Sequence, residues 1–208
     1  MTIFKLATKN HNFTKILFQE KKMNFDAKKS AIFPEGVFII GTYDENSVPN
    51  AMNAAWGIQS DYEEITLYLA KHKTTENIKK TKAFTVAFGT KSTVAISDYF
   101  GIESGENVNK IEKAGCHVHK APHVNAPIIE EYPVSLECEC KSFNDETGIL
   151  VGKIVGQIAD DSVITNGTID IEKLEPLVFD MATKTYRTIG PVAGYAWKDG
   201  LAIKNKNS

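Results

Sequence analysis

Val134-Ser135-Leu136-Glu137-Cys138-Glu139-Cys140 and Ile149-Leu150-Val151-Gly152-Lys153-Ile154-Val155-Gly156-Gln157-Ile158, joined by Asn144-Asp145-Glu146-Thr147-Gly148, decide the fold class of this 208-residue chain. Both runs are rich in β-branched and apolar residues, and the connection is polar and ends on glycine, so the two should pair as a long antiparallel hairpin. The same pattern recurs upstream. Val37–Tyr43 is a β-rich run ended by Asp44–Asn50, a turn by composition, and the short Ala-rich arm Ala51–Trp56 returns from it. Glu64–Ala70 alternates with period two, and Phe84–Phe88 returns to strand and ends at Gly89. Between these last two runs, Thr74 or Thr75 can cap a short helix that runs through Lys82. Residues 92–132 read as a long mixed connection, with a helical stretch near Val108–Ala114 closed by Gly115, and with Pro122, Pro127 and Pro133 holding the chain extended. Long strands, hairpin turns and few helices predict a mainly β, Greek-key barrel rather than an alternating β/α sheet.

Composition narrows the function classes. The chain is 42% hydrophobic and 24% charged, with a formal net charge of −2, the balance of a globular protein with a core of its own. Arg187 is the single arginine among 24 basic residues, so bidentate guanidinium recognition of phosphates or bases is almost absent, and nucleic acid is not an expected partner. No window approaches the run of about 20 apolar residues that spans a bilayer, and the N-terminus lacks the apolar core of a signal peptide. Three cysteines, Cys116, Cys138 and Cys140, are read as free thiols in a reducing, cytoplasmic setting. Residues 1–22 hold five lysines against Glu20, a balance of +4, so the remainder carries −2 − 4 = −6. That shift predicts a poorly ordered basic extension before a domain spanning 23–208.

Three constellations can carry chemistry. In Asn50-Ala51-Met52-Asn53-Ala54-Ala55-Trp56, small residues let a flat ligand approach the backbone beside two amides and an indole; the alternative is a packed strand with Met52, Ala54 and Trp56 on its core face. Lys71-His72-Lys73-Thr74-Thr75 opens a helix, where cations, hydroxyls and free N–H groups favour a phosphate; the alternative is a solvated basic turn. Cys116-His117-Val118-His119 with His123 and Cys138-Glu139-Cys140 contains zinc-ligand types. The simpler reading makes the strand cysteines buried, with Glu137 and Glu139 outward, and the histidines exposed. Arg187 is a candidate first for a carboxylate pair and second for a phosphate.

Taken in order, these pieces resemble the flavin reductase family, the FMN-binding split barrels that include flavoredoxins. The resemblance runs from about Phe33 to Ile203. It passes through Pro49–Trp56, Lys73-Thr74-Thr75-Glu76-Asn77-Ile78, Gly101-Ile102-Glu103-Ser104-Gly105 with Val108-Asn109-Lys110, and Ala126–Glu131 with Pro133–Cys138. It ends in Tyr186–Gly190 and Ala193–Gly200. The resemblance implies a six-stranded Greek-key split β-barrel with a few short helices, a homodimer, and FMN near the subunit interface. It implies that Asn53, Ala54, Ala55 and Trp56 line the isoalloxazine, that His72, Lys73 and Thr74 meet the phosphate, and that Ser92 to Asp98 close over that end. Two departures stand out: His72 occupies a position where relatives often carry Arg, and Thr147 stands where many carry His.

The expected function is an NAD(P)H-dependent FMN oxidoreductase, with NADH or NADPH as electron donor and a small molecule or redox protein as acceptor. The cofactor does the chemistry, so no side-chain acid, base or nucleophile is required. No glycine-rich dinucleotide fingerprint is present, and a nicotinamide would bind without a Rossmann domain. The loss of His at Thr147 keeps open an FMN-binding electron carrier without nicotinamide activity, and the Cys/His cluster keeps open a metal-binding module.

Overall fold

The computed structural model describes Asp26 and residues 32–207, and the unit Phe33–Ser208 carries the fold. The basic extension expected at 1–22 lies outside the described residues. Elements follow in chain order: β1 (Glu35–Gly36), β2 (Phe38–Tyr43), β3 (Pro49–Ala54), β4 (Gly57–Asp61), β5 (Glu64–Tyr68), α1 (Lys73–Thr81), β6 (Ala83–Phe88), α2 (Val94–Ile102) and α3 (Lys110–Ala114). Then come β7 (Val118–Lys120), β8 (Pro127–Ile129), β9 (Val134–Phe143), β10 (Ile149–Ala159), β11 (Ile164–Thr165), β12 (Thr168–Ile169), α4 (Ile171–Leu174), β13 (Leu177–Asp180), β14 (Thr185–Thr188) and α5 (Leu201–Lys204). Among the described residues no helix is long and apolar enough to cross a membrane.

The main sheet runs β3-β2-β6-β9-β10-β5-β4, antiparallel at every step. Its two edge strands, β3 and β4, are consecutive in the chain and separated only by Ala55 and Trp56. Three Cα steps of 3.8 Å then hold Ala54 and Gly57 within roughly 11 Å of each other. The sheet must therefore curl until its edges meet, yet β3 and β4 do not pair: this is a split barrel. Seven strands build it, one more than expected, because four exposed residues after Trp56, Ile58–Asp61, add an edge strand to β5.

Local chemistry sets the hairpins. Asp44 Oδ1 accepts the N–H groups of Asn46 and Val48 at 2.8 and 2.9 Å, folding the β2–β3 turn. Asn144 Oδ1 accepts those of Glu146 and Thr147, both at 2.9 Å, in the β9–β10 turn. That turn ends at Gly148, with φ +73°, where a Cβ would lie 2.7 Å from the Leu69 carbonyl oxygen; glycine meets both demands.

Inside the curl lie Ile40, Met52, Ala54, Leu67, Phe84, Cys138 and Leu150, closed by Ile78 from α1. The opposite face is also covered. Ile39 and Ala51 pack beneath Phe100 of α2 and Ile111 of α3, and Ala121, Val124, Ala126 and Ile128 pack with Ala83, Val155 and Ile158. This second layer overturns the outward placement of Glu137. It is wholly buried and accepts the His123 backbone N–H at 2.7 Å, with the His123 Nδ1 at 2.8 Å. Glu139 does face solvent. The segment 92–98, read as part of a loop, is instead a short turn leading into α2.

Candidate functional site

The free edge of β3 faces the start of α1, the loop after α2 and the start of α3, and the four enclose a polar cleft. Asn50, Met52 and Asn53 come from β3, and His72, Lys73 and Thr74 from the head of α1. Phe100, Gly101, Glu103, Ser104, Gly105 and Lys110 complete it, so one carboxylate stands among the cations.

Each wall has a cause. Asn109 caps α3 by accepting the Glu112 N–H at 3.2 Å, which makes Lys110 the first helical residue. Lys110 is 3% exposed, and its Nζ donates to the carbonyls of Phe100 and Glu103, each at 3.1 Å. Burial lowers its pKa to about 8 against the pull of Glu103, so it remains a cation at neutral pH without a carboxylate partner at ion-pair distance. Asn50, also buried, donates its amide to Thr74 Oγ1 at 2.7 Å and so ties β3 to the head of α1. Asn77 donates to Thr42 Oγ1 at 3.0 Å and fixes the next turn of that helix to β2. Gly105 has no room for a side chain, since a Cβ there would strike the Asn50 amide.

The head of α1 is shaped by Thr75, whose Oγ1 accepts the His72 N–H at 2.9 Å and donates to the His72 carbonyl at 2.7 Å. Lys73 and Thr74, in the first turn of this nine-residue helix, where backbone N–H groups lack intrahelical partners, line the cleft. Lys73 Nζ lies 3.6 Å from Asp44 Oδ2. The backbone N–H of Val48 is the chief reason Asp44 is held below the usual carboxylate range, with Lys73 a further contributor. At the other end, Asn53 donates to the Ser97 carbonyl at 2.9 Å. Tyr186 of β14 reaches over to donate to Asp98 Oδ1 at 2.8 Å. Burial first, and Asp98 second, push the Tyr186 phenol up to about 12.

Of the residues chosen from sequence, Asn53, His72, Lys73 and Thr74 meet in this cleft. Ala54 turns into the barrel core. Ala55 and Trp56 follow on the connection across the barrel seam. Trp56 is not on the core face with Met52 and Ala54; it is half exposed, with its ring 5.2 Å from that of Tyr68. Ser92 stands apart, its hydroxyl 2.9 Å from that of Thr90. Sequence reasoning passed over the roles of Asn50 and Lys110. The cap before Lys110 was legible, whereas its burial depends on the loop after α2 folding over it.

Arg187 pairs with Asp180, its Nε 3.3 Å from Oδ2. Thr147 lines a second cleft of about 270 Å³ with Tyr68, Lys71 and Lys79, between the head of α1 and the β9–β10 turn. The loop histidines each meet a carboxylate: His117 with Glu131 at 2.9 Å, His119 with Glu130 at 3.0 Å, and His123 with Glu137. Among the described residues no group of three or more His, Cys, Asp or Glu stands where one metal ion could be held. Cys116 and Cys138 are each pushed up to about 12, chiefly by burial, which keeps them as thiols rather than ligand thiolates.

A curled antiparallel sheet whose two edge strands meet without pairing is a split barrel, and its open β3 edge carries a polar, cation-bearing cleft. The flavin reductase like domain matches residues 30–189, and the chain belongs to that family. Among solved structures it is similar to flavoredoxin of Desulfovibrio vulgaris (Miyazaki F), with 30% identity, TM-score 0.81, and 86% of this chain and 100% of that one covered. It is also similar to flavoredoxin from Methanosarcina acetivorans, with 27% identity, TM-score 0.79, and coverage of 88% and 99%. Nitrilotriacetate monooxygenase component B from Bacillus cereus, at 17% identity and TM-score 0.70 over 94% and 100%, shares the fold. Curated protein sequences offer no match.

Proposed function

We propose that the protein is an FMN-dependent oxidoreductase that draws electrons from NADH or NADPH and hands them to a small molecule or a redox protein, working as a homodimer. The observation that carries this reading is the cleft on the free edge of β3. There the helix head at Thr74, the cations Lys73 and Lys110, and the amides of Asn50 and Asn53 converge. The donor set suits a phosphate joined to a polar chain, and Gly105 lets the loop after α2 close against the Asn50 amide that lines it. FMN, when bound, supplies the two-electron chemistry, accepting a hydride from a nicotinamide and releasing electrons onward. The chain's own residues bind and orient. Thr74 and the first-turn N–H groups hold the phosphate, Lys110 adds a desolvated positive charge, and Asn53 offers an amide toward the ring end. Trp56 supplies apolar surface at the barrel seam.

A second reading, an electron carrier without nicotinamide activity, is favoured by one observation. Thr147, a residue that cannot donate or accept a proton near neutral pH, stands in the exposed β9–β10 turn beside the second cleft. Anaerobic titration of the FMN-loaded protein with NADH or NADPH separates the two. Bleaching of the visible bands supports the reductase, and a yellow protein that does not respond supports the carrier. A chain that takes up no FMN overturns both.

A further inference from the structure

Residues 189–206 are exposed throughout. Among the described residues their hydrogen bonds close within the stretch: Asp199 Oδ2 accepts the Tyr195 N–H at 2.9 Å, the Leu201 N–H reaches the Lys198 carbonyl, and those of Ile203 and Lys204 reach Gly200. The stretch is nonetheless shaped. Trp197 sits at φ +59°, and a Cβ at Gly194 would strike the Asp199 carboxylate. The knob so formed carries Trp197 at 94% exposed, Ile203 at 74% and Tyr195 at 66%. A segment this small cannot bury a core of its own, and large apolar side chains offered on a shaped backbone mark a contact surface.

The same chain carries a surface of opposite character. On the outer face of the β4–β5–β10 end of the sheet, Tyr68 opposes Ile149, and the Trp56 carbonyl accepts the Tyr68 N–H at 2.8 Å. Ile58, 66% exposed, lies one strand further out opposite Thr66. Asp61 and Glu63 rim this patch, exposed and with no ion pair among the described residues, while Lys204 and Lys206 of the knob also have none. Apolar meets apolar and acid meets base, and among the described residues no hydrogen bond, ion pair or ring contact joins the two surfaces within one chain.

We propose that residues 189–206 are an exchanged arm: in a twofold pair, each chain lays its Trp197-bearing knob on the outer β4–β5–β10 face of the other. One arm and one face per copy close both contacts in a dimer and leave none open for further growth. The inference rests on the two-copy reading above and names the surfaces that make it. It also sets each arm beside the partner's Trp56, so the seam end of the cleft is covered only in the pair.

Two single variants of the full chain, Trp197→Cys and Ile58→Cys, are mixed, equilibrated and oxidised. A disulfide-linked two-chain species is expected in the mixture, absent from either variant alone and from the unvaried chain with its native thiols. A link formed inside one chain of the double variant, or no link in the mixture, overturns the exchange. Light scattering of the full chain should give two chain masses, and a chain ending at Thr188 should fall to one. Trp197→Ala should weaken association by about ten-fold or more, as loss of a central aromatic anchor does. Two chain masses kept after truncation overturn the arm alone, and one chain mass for the full protein overturns the two-copy reading with it. If deleting residues 1–22 also abolishes pairing, that segment covers the face and the arm proposal fails. FMN uptake, read separately from the visible spectrum, tells whether the cofactor reading stands whichever way association falls.

Discussion

At the scale of single residues, Lys110 holds an expensive charge. Its pKa is about 8 in the fold and 10.5 in the free side chain, a depression worth on the order of 3 kcal/mol against the charged form. The sign follows. Between those two values the unfolded chain binds more protons, so stability is penalised at neutral pH and rises as the pH climbs from about 8 toward 10.5. A bound phosphate reverses the pull and raises the folded pKa, so FMN affinity should hold near neutrality and fall as the pH passes 8, by at most about ten-fold per unit. Fluorescence titrations of FMN against pH check this, and Lys110→Met should bind FMN more weakly with that upper limb gone. A limb kept by the methionine variant would assign it to another group. Thr74 and Trp56 separate the two ends of the ligand. Thr74→Val removes the acceptor of the Asn50 amide and a hydroxyl at the helix head, and should weaken FMN by about ten- to a hundred-fold while riboflavin barely changes. Trp56→Ala should weaken both flavins alike, because ring packing is common to them. Equal losses of FMN and riboflavin in Thr74→Val would move the phosphate elsewhere.

At the scale of elements, the β9–β10 pair is both the most legible part of the sequence and the place where it misleads. Its length, its period and its Asn144–Gly148 turn all announce a hairpin, and Val134–Phe143 pairs with Ile149–Ala159 as expected. Alternation also assigns Glu137 to solvent, on the assumption that one face of the strand is wet. That assumption fails because the 121–129 segment, whose prolines and alanines show no period, packs over the outer face. The same limit hid α2, where Val94, Ile96, Tyr99, Phe100 and Ile102 spread apolar side chains around the helix and leave no stripe to read. It also hid the cleft wall that α2 and Lys110 build, whereas the helix head at Thr74 showed through its own local chemistry. A bulge near Ile154 and Gly156 answers the buried carboxylate: Gly156 opposes Glu137, and a Cβ there would lie 2.7 Å from Glu137 Oε1 and 2.9 Å from His123 Nδ1. Glycine leaves room for the pair at that point. Gly156→Ala should therefore destabilise the fold by roughly 1–3 kcal/mol through overpacking, seen as a lower urea midpoint at unchanged slope. An unchanged midpoint would show that the pair shifts freely and that the bulge has another cause.

At the scale of the whole molecule, the basic segment lies wholly before the stretch that the family match covers. Residues 1–22 carry +4 and the remainder −6, and the family match begins at residue 30. β1 starts at Glu35, and the strands, helices and loops that build the cleft all lie beyond it. The cleft residues and the barrel core named above all lie beyond residue 34. FMN content and thermal midpoint should therefore stay nearly unchanged. Long-range electrostatics supplies the one expected difference. The truncated domain, at −6, repels a dianionic phosphate more than the full chain at −2 does, and charges spaced beyond a Debye length of about 10 Å at 0.1 M salt are largely screened. The association rate of FMN should therefore differ between the two proteins at low salt and converge as salt rises, with the dissociation rate alike in both. Stopped-flow mixing across a salt series reads this directly. A faster dissociation rate in the truncated protein at all salt concentrations would mean that the segment touches the bound ligand, and the basic residues before Met23 would then belong to the site.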